Sequence, residues 1–153
     1  MKTKEEYIEI AQNNFRSGYN CSQAVLCTFA EELGLDKAAA EKLAFPFGGG
    51  IGGMREVCGA VSGMCMCAGL KFGDKENKKE HYMRIQDLAK KFAEKSGNSI
   101  ICRELLGLAP KKASLEPDKN CAAPRTDEYY KKRPCVELVG EAAGIVADML
   151  AEN

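Results

Sequence analysis

The chain has no excess of charge of either sign. Lysine plus arginine number 22 and aspartate plus glutamate number 22. That removes the basic surplus on which bulk nucleic-acid binding runs and gives an acidic membrane surface nothing to attract. Long apolar runs are missing too, since no stretch approaches the ~20 residues that cross a bilayer. The opening MKTKEEYIEIAQ is charged and amphipathic where a secretion signal would be apolar. We therefore expect a cytoplasmic protein with neither nucleic acid nor membrane as partner. Period-two alternation over strand length is absent, as is any internal repeat. Histidine occurs once, at His81, so a Cys–His catalytic pair has a single candidate. The chain has no CxxC of the thioredoxin kind and no cysteines at zinc-finger spacing. It has no CxxCH for covalent haem.

What the chain does have is cysteine, eight in 153 residues. Cytosolic thiols are kept reduced, so this number points to metal, catalysis or redox exchange rather than a disulfide framework, although free cysteine is also ordinary core material. Four of the eight are predicted in the first turn of a helix: Cys21 in YNCSQAV, Cys58 in EVCGAVSG, Cys102 in SIICRELLG and Cys135 in KRPCVELV. Unpaired N–H groups and the positive end of the helix dipole lower a thiol's pKa there, and the thiolate is both nucleophile and metal ligand. Arg55, Arg103 and Arg133 lie close in sequence to three of these cysteines and would lower them further. We expect this to prevail for Cys58 over the opposing effect of burial. The four are 37, 44 and 33 residues apart, so only tertiary folding can bring them to one site, as the shared end of a helix bundle can. Cys65 and Cys67 sit two apart in a predicted helix and face opposite sides. Cys65 falls two turns after Cys58 and is the next candidate to line a site, with Cys27, Cys67 and Cys121 read as packing residues or spares.

Helix signals run end to end. Thr3 with Glu6 and Asn20 with Gln23 form capping boxes. The second opens a helix running to Gly34, and Asp36 caps a short helix over 37–44 that Pro46 closes. A helix is predicted from near Val57 to Leu70 and a long one over 74–96, with Tyr82, Ile85, Leu88 and Phe92 on its apolar face. Ser99 caps a short helix over 100–106, residues 109–125 read as an extended loop, and a last helix starts at Pro134. The expected fold is all-α, a single-domain bundle of six or seven helices over 1–153. Between the third and fourth helices lie Gly48, Gly49, Gly50, Ile51, Gly52 and Gly53. Without the Lys-Ser/Thr ending and preceding strand of a P-loop, these glycines are better read as a sharp turn. They would bring backbone N–H groups towards the sulfurs or a small ligand. Gly59 and Gly63 clear one helix face for a second helix or a substrate.

With Cys21, the segment Cys58-Gly59-Ala60-Val61-Ser62-Gly63, Cys102 and Cys135 in this order, the chain resembles the C-GCAxxG-C-C family of putative redox-active proteins. That family is marked by four cysteines and a CGAxxG motif in small bacterial and archaeal proteins. The likeness extends through SGYNCSQAV, FGGGIGGM, VCGAVSG, LKFG and ICRELLG. It implies redox chemistry as a class and carries the four family cysteines onto Cys21, Cys58, Cys102 and Cys135. These would hold a metal, most simply as four thiolates of an iron–sulfur cluster, or cycle between dithiol and disulfide, with Cys58 and Cys102 as the redox thiols. The protein would then be a thiol- or metal-based oxidoreductase or an electron carrier. The rivals are a structural zinc protein and a helical interaction module with cysteines as core filler. The substrate, the redox partner and the oligomeric state, a homo-oligomer included, stay open.

Overall fold

The computed structural model describes residues 1–110 and 117–152, so part of the expected loop over 109–125 lies outside the described residues. Among the described residues are eight α-helices, two 3₁₀ turns and no strand, and none of the helices is long and apolar enough to cross a membrane. The fold is all-α, as expected.

Both capping boxes form. Thr3 opens α1 (Lys4–Arg16), and Asn20 opens α2 (Cys21–Phe29), its side-chain oxygen accepting from the Gln23 N–H at 3.0 Å. The helix ends at Phe29 and the chain continues as turns through 30–34, so α2 ends sooner than its apolar spacing predicts. Asp36 caps α3 (Lys37–Ala44), and a 3₁₀ turn over Phe45–Phe47 follows. After the glycine segment come α4 (Gly59–Phe72), α5 (Lys78–Lys95), α6 (Cys102–Leu105), α7 (Asp127–Lys132) and α8 (Cys135–Ala151).

Helix α8 is the centre of the bundle. It is apolar nearly all round, burying Val136, Leu138, Val139, Ala142, Ala143, Ile145, Val146 and Met149, and it touches α1, α2, α4 and α5. The other main contact is α2 on α4. Gly59 and Gly63 make it possible, because a Cβ on Gly59 would stand 3.0 Å from the Cys21 Cβ and one on Gly63 2.8 Å from the Ser22 carbonyl oxygen. The cleared face thus receives a helix. Helix α5 packs through Ile85, partly buried against the core, and through two residues of its second half. Leu88 and Phe92 are buried, while Tyr82, expected on the same stripe, is 57% exposed.

Two elements differ from expectation. Ser99 does not cap α6; its hydroxyl accepts from the Ile101 N–H at 3.0 Å and donates to Glu104, and the helix is a single turn, Cys102–Leu105. Helix α7 lies beyond the loop, capped by Thr126, with Asp127 and Glu128 in its first turn and Lys131 and Lys132 in its last. Those charges suit the dipole and were its sequence signal, hidden by the prolines around them.

Candidate functional site

Three of the four motif cysteines open helices, Cys21 α2, Cys102 α6 and Cys135 α8. Cys58 is instead the residue before α4, with extended ψ of 132°. Tight backbone pairing aligns two of them. Cys58 N–H donates to the Ile100 carbonyl at 2.8 Å, and Cys102 N–H donates to the Glu56 carbonyl at 2.6 Å. This short antiparallel bridge, Val57 with Ile101, sets the starts of α4 and α6 side by side. The close approach of α2 to α4 at Gly59 adds Cys21.

All four cysteines line one cavity of about 320 Å³. Gly48, Gly49, Gly50, Gly52 and Gly53 form part of its wall, and Arg55, Arg125 and Arg133 line it too. A fifth cysteine, Cys121, also reaches it. Sequence spacing held no sign of that, because the segment carrying Cys121 is placed by a distant anchor. The Arg125 guanidinium donates to the carbonyl oxygens of Phe15 and Tyr19 and stacks 3.9 Å from the Phe15 ring centre. Cys65, the next candidate by spacing, is not among the lining residues, and neither are Cys27, Cys67, His81 or Arg103. Arg103 turns away to the Ala109 carbonyl at 2.9 Å.

The glycine segment is wound left-handed. Gly49, Gly50, Ile51, Gly52 and Gly53 have φ of 63°, 71°, 66°, 55° and 78°, a run open to glycine and strained for β-branched Ile51. Its N–H groups do not all face the cavity, contrary to expectation. Those of Gly52, Gly53, Arg55 and Glu56 donate to the carbonyls of Pro46, Gly48, Gly49 and Gly50 at 2.7 to 3.1 Å, so much of the turn's hydrogen bonding is spent on holding its own shape.

Electrostatics separates the thiols. Burial pushes Cys58 up to about 12; the N–H groups of Ala60 and Val61 approach its sulfur without closing a cap hydrogen bond, and offset only part of this. The expectation that helix position would lower Cys58 is overturned, because a thiol 4% exposed loses more by desolvation of its anion than one helix end returns. Cys102 is raised as well, by burial, against an opposing contact from Arg55. Cys135 alone of the four is lowered, to about 7. The largest cause is a hydrogen bond from the Cys21 thiol, whose own pKa that bond raises. Tyr129, its hydroxyl 4.0 Å from the Cys135 sulfur, and the guanidinium groups of Arg133 and Arg55 add to it. Burial raises Tyr129 itself, so it keeps the proton it donates.

Residues 19–149 match the model of a family described as putative redox-active protein, C_GCAxxG_C_C. The chain belongs to this family. No curated protein and no solved structure matches it. The family pattern and the cavity select the same four cysteines, which the structure brings together around one space. They do not close on one point: among the described residues, no three Cys, His, Asp or Glu side chains come together so as to hold a single metal ion.

Proposed function

We propose that this family member performs thiol–disulfide exchange at the cavity, with Cys21 and Cys135 as the cycling pair. The reading is carried by two thiols that line the same cavity and act on each other in opposite directions, Cys135 lowered and Cys21 raised. That asymmetry is what a nucleophilic and a resolving thiol need. The Cys135 thiolate attacks one sulfur of a partner disulfide, forming a mixed disulfide and expelling the partner's other sulfur as thiolate. Cys21 gives its proton to that thiolate and attacks the Cys135 sulfur, releasing the partner's second thiolate, which takes a proton from solvent. Two electrons pass to the partner and a Cys21–Cys135 disulfide remains. Cys58 and Cys102, singled out by the sequence as redox thiols, are held protonated by burial and serve here as neighbours of the pair. Helix α1 precedes the family match yet packs on α8, which supports treating 1–153 as one unit.

A second reading is favoured by four cysteines that line one cavity. The donor set fits an iron–sulfur cluster, which spans several ångströms and takes four thiolates, better than zinc, which needs its ligands on one point. Cys21, Cys58, Cys102 and Cys135 would hold it, and it would supply one-electron transfer.

The test is oxidation of anaerobically reduced protein with glutathione disulfide, followed by peptide mass mapping. A Cys21–Cys135 link supports exchange, and links formed only elsewhere refute it. Iron and sulfide analysis of anaerobically purified protein decides the second reading.

A further inference from the structure

Arg55 is 8% exposed, and its guanidinium carries five N–H donors. Two contacts meet them: the Cys102 sulfur 3.8 Å from Nη1 and the Cys121 carbonyl 3.5 Å from Nη2. Both are long for a charged donor, which closes to ~2.7–2.9 Å on an anionic oxygen. Among the described residues no carboxylate forms an ion pair with Arg55, and no Asp or Glu lines the cavity. Burying a cation without a counter-charge is costly. Two further guanidinium groups border the same space. Arg125 is satisfied by carbonyls and a ring, and Arg133 sits 4.9 Å over the Tyr129 ring; neither arrangement cancels a charge. Against these three cations no described residue of the wall offers a carboxylate. The N-termini of α2, α4 and α8 open on it as well, adding partial positive charge and N–H donors.

We propose that the cavity binds a small organic molecule through a doubly charged oxyanion group of the phosphate type, with Arg55 as its innermost contact. Its negative charge meets guanidinium groups that no described carboxylate of the wall balances. The apolar body is read from the rest of the wall, since Phe15, Leu105, Leu106 and Leu138 line a cavity of about 320 Å³, more than a bare oxyanion fills. The inference deepens the redox reading and rests on it for what the ligand meets there, the thiols.

Phenyl phosphate, inorganic phosphate and potassium chloride at matched ionic strength serve as probes in equilibrium titrations of the reduced full chain. Saturable binding of phenyl phosphate is expected, displaced by inorganic phosphate and not by chloride, and weakened about tenfold or more by R55M. Binding no better than chloride's, or unchanged in folded R55M, overturns the proposal. If circular dichroism shows R55M unfolded, the rim variant R133Q decides: several-fold weaker binding supports the site and unchanged binding overturns it. Inorganic phosphate binding as tightly as phenyl phosphate overturns the apolar body. Glutathione disulfide oxidation of the same full chain, run beside the titration, separates the two readings. Binding without any exchange chemistry sinks the redox proposal alone, and exchange without phenyl phosphate binding sinks this one alone.

Discussion

Nη1 of Arg55 lies 3.8 Å from the sulfur of Cys102, across 47 residues of sequence. The contact does not make Cys102 acidic, because burial outweighs it. Cys135 escapes that outcome by gathering several donors at once, with Cys21 first and Tyr129 and Arg133 behind it. Reactivity among these thiols is thus decided by how many groups face each sulfur rather than by helix position alone.

Alkylation by iodoacetamide should therefore divide the cysteines. In reduced protein the Cys135 rate is expected to rise with pH around a midpoint near 7, while Cys58, raised to about 12, stays slow until strongly alkaline pH. C21A removes the largest cause of the lowering, so the Cys135 midpoint should move to higher pH. Its rate at pH 7 should fall with the thiolate fraction, by about tenfold for each pH unit that the midpoint climbs. Peptide-resolved rates check both, and a Cys135 midpoint untouched by C21A would refute Cys21 as the main cause of the lowering.

Glycines of α4 should differ by position. A Cβ on Gly59 would meet the Cys21 Cβ and the Phe47 carbonyl oxygen at 3.0 Å each, whereas one on Gly69 would meet nothing within 4 Å. Gly59→Ala is expected to destabilise by about 1–3 kcal/mol through overpacking. Gly69→Ala should stabilise by about 0.4–1 kcal/mol, since it removes freedom from the unfolded chain. Urea denaturation of the two variants measures the contrast.

The left-handed turn gives a second contrast. Gly50 has φ +71° and its Cβ would stand 2.6 Å from the Glu56 backbone nitrogen, while Gly52, at φ +55°, has nothing nearer than the Pro46 oxygen at 3.9 Å. Gly52→Ala should cost only the left-handed penalty of about 1–2 kcal/mol. Gly50→Ala should cost more, because backbone must move. Equal denaturation midpoints would mean the turn yields more easily than its close contacts imply.

Stability should depend on pH from both sides. Cys58 and Cys27, raised from 9.0 to about 12 and about 11, keep protons when folded that the unfolded chain releases. Their contribution is whole below pH 9 and is lost as pH climbs towards those values. Cys135, lowered from 9.0 to about 7, contributes above pH 9 and loses that contribution as pH falls through 7. Reduced protein should thus be most stable at about pH 8 to 9. Thermal unfolding of C135A should lack the rise between 7 and 9 and keep the alkaline fall.

Much of the helical frame was legible in the order of the residues. The caps at Thr3, Asn20 and Asp36 form as expected, because a cap is a hydrogen bond between residues three apart and needs nothing from the rest of the chain. The early end of α2 and the weak burial of Tyr82 were not legible, since neighbours decide where a turn starts and how far a stripe is covered. The glycine run was readable as a turn. Its handedness was not, and Ile51, in the same left-handed geometry at φ 66°, carries no local mark of it.

By itself the sequence determined an all-α chain, the family, and four cysteines at or beside helix starts, because capping, periodicity and motif order are local properties of a string. Only the tertiary structure decided that these cysteines share one cavity with Cys121, that Cys21 acts on the acidity of Cys135, and that Arg55 is buried against them. It also reversed the expected order of acidity, from Cys58 to Cys135. The physical reason is that a thiol's pKa is a balance of desolvation against the donors around its sulfur. Those donors come from α2, α7 and the segment before α8, which sequence places far apart and packing around α8 brings to one sulfur.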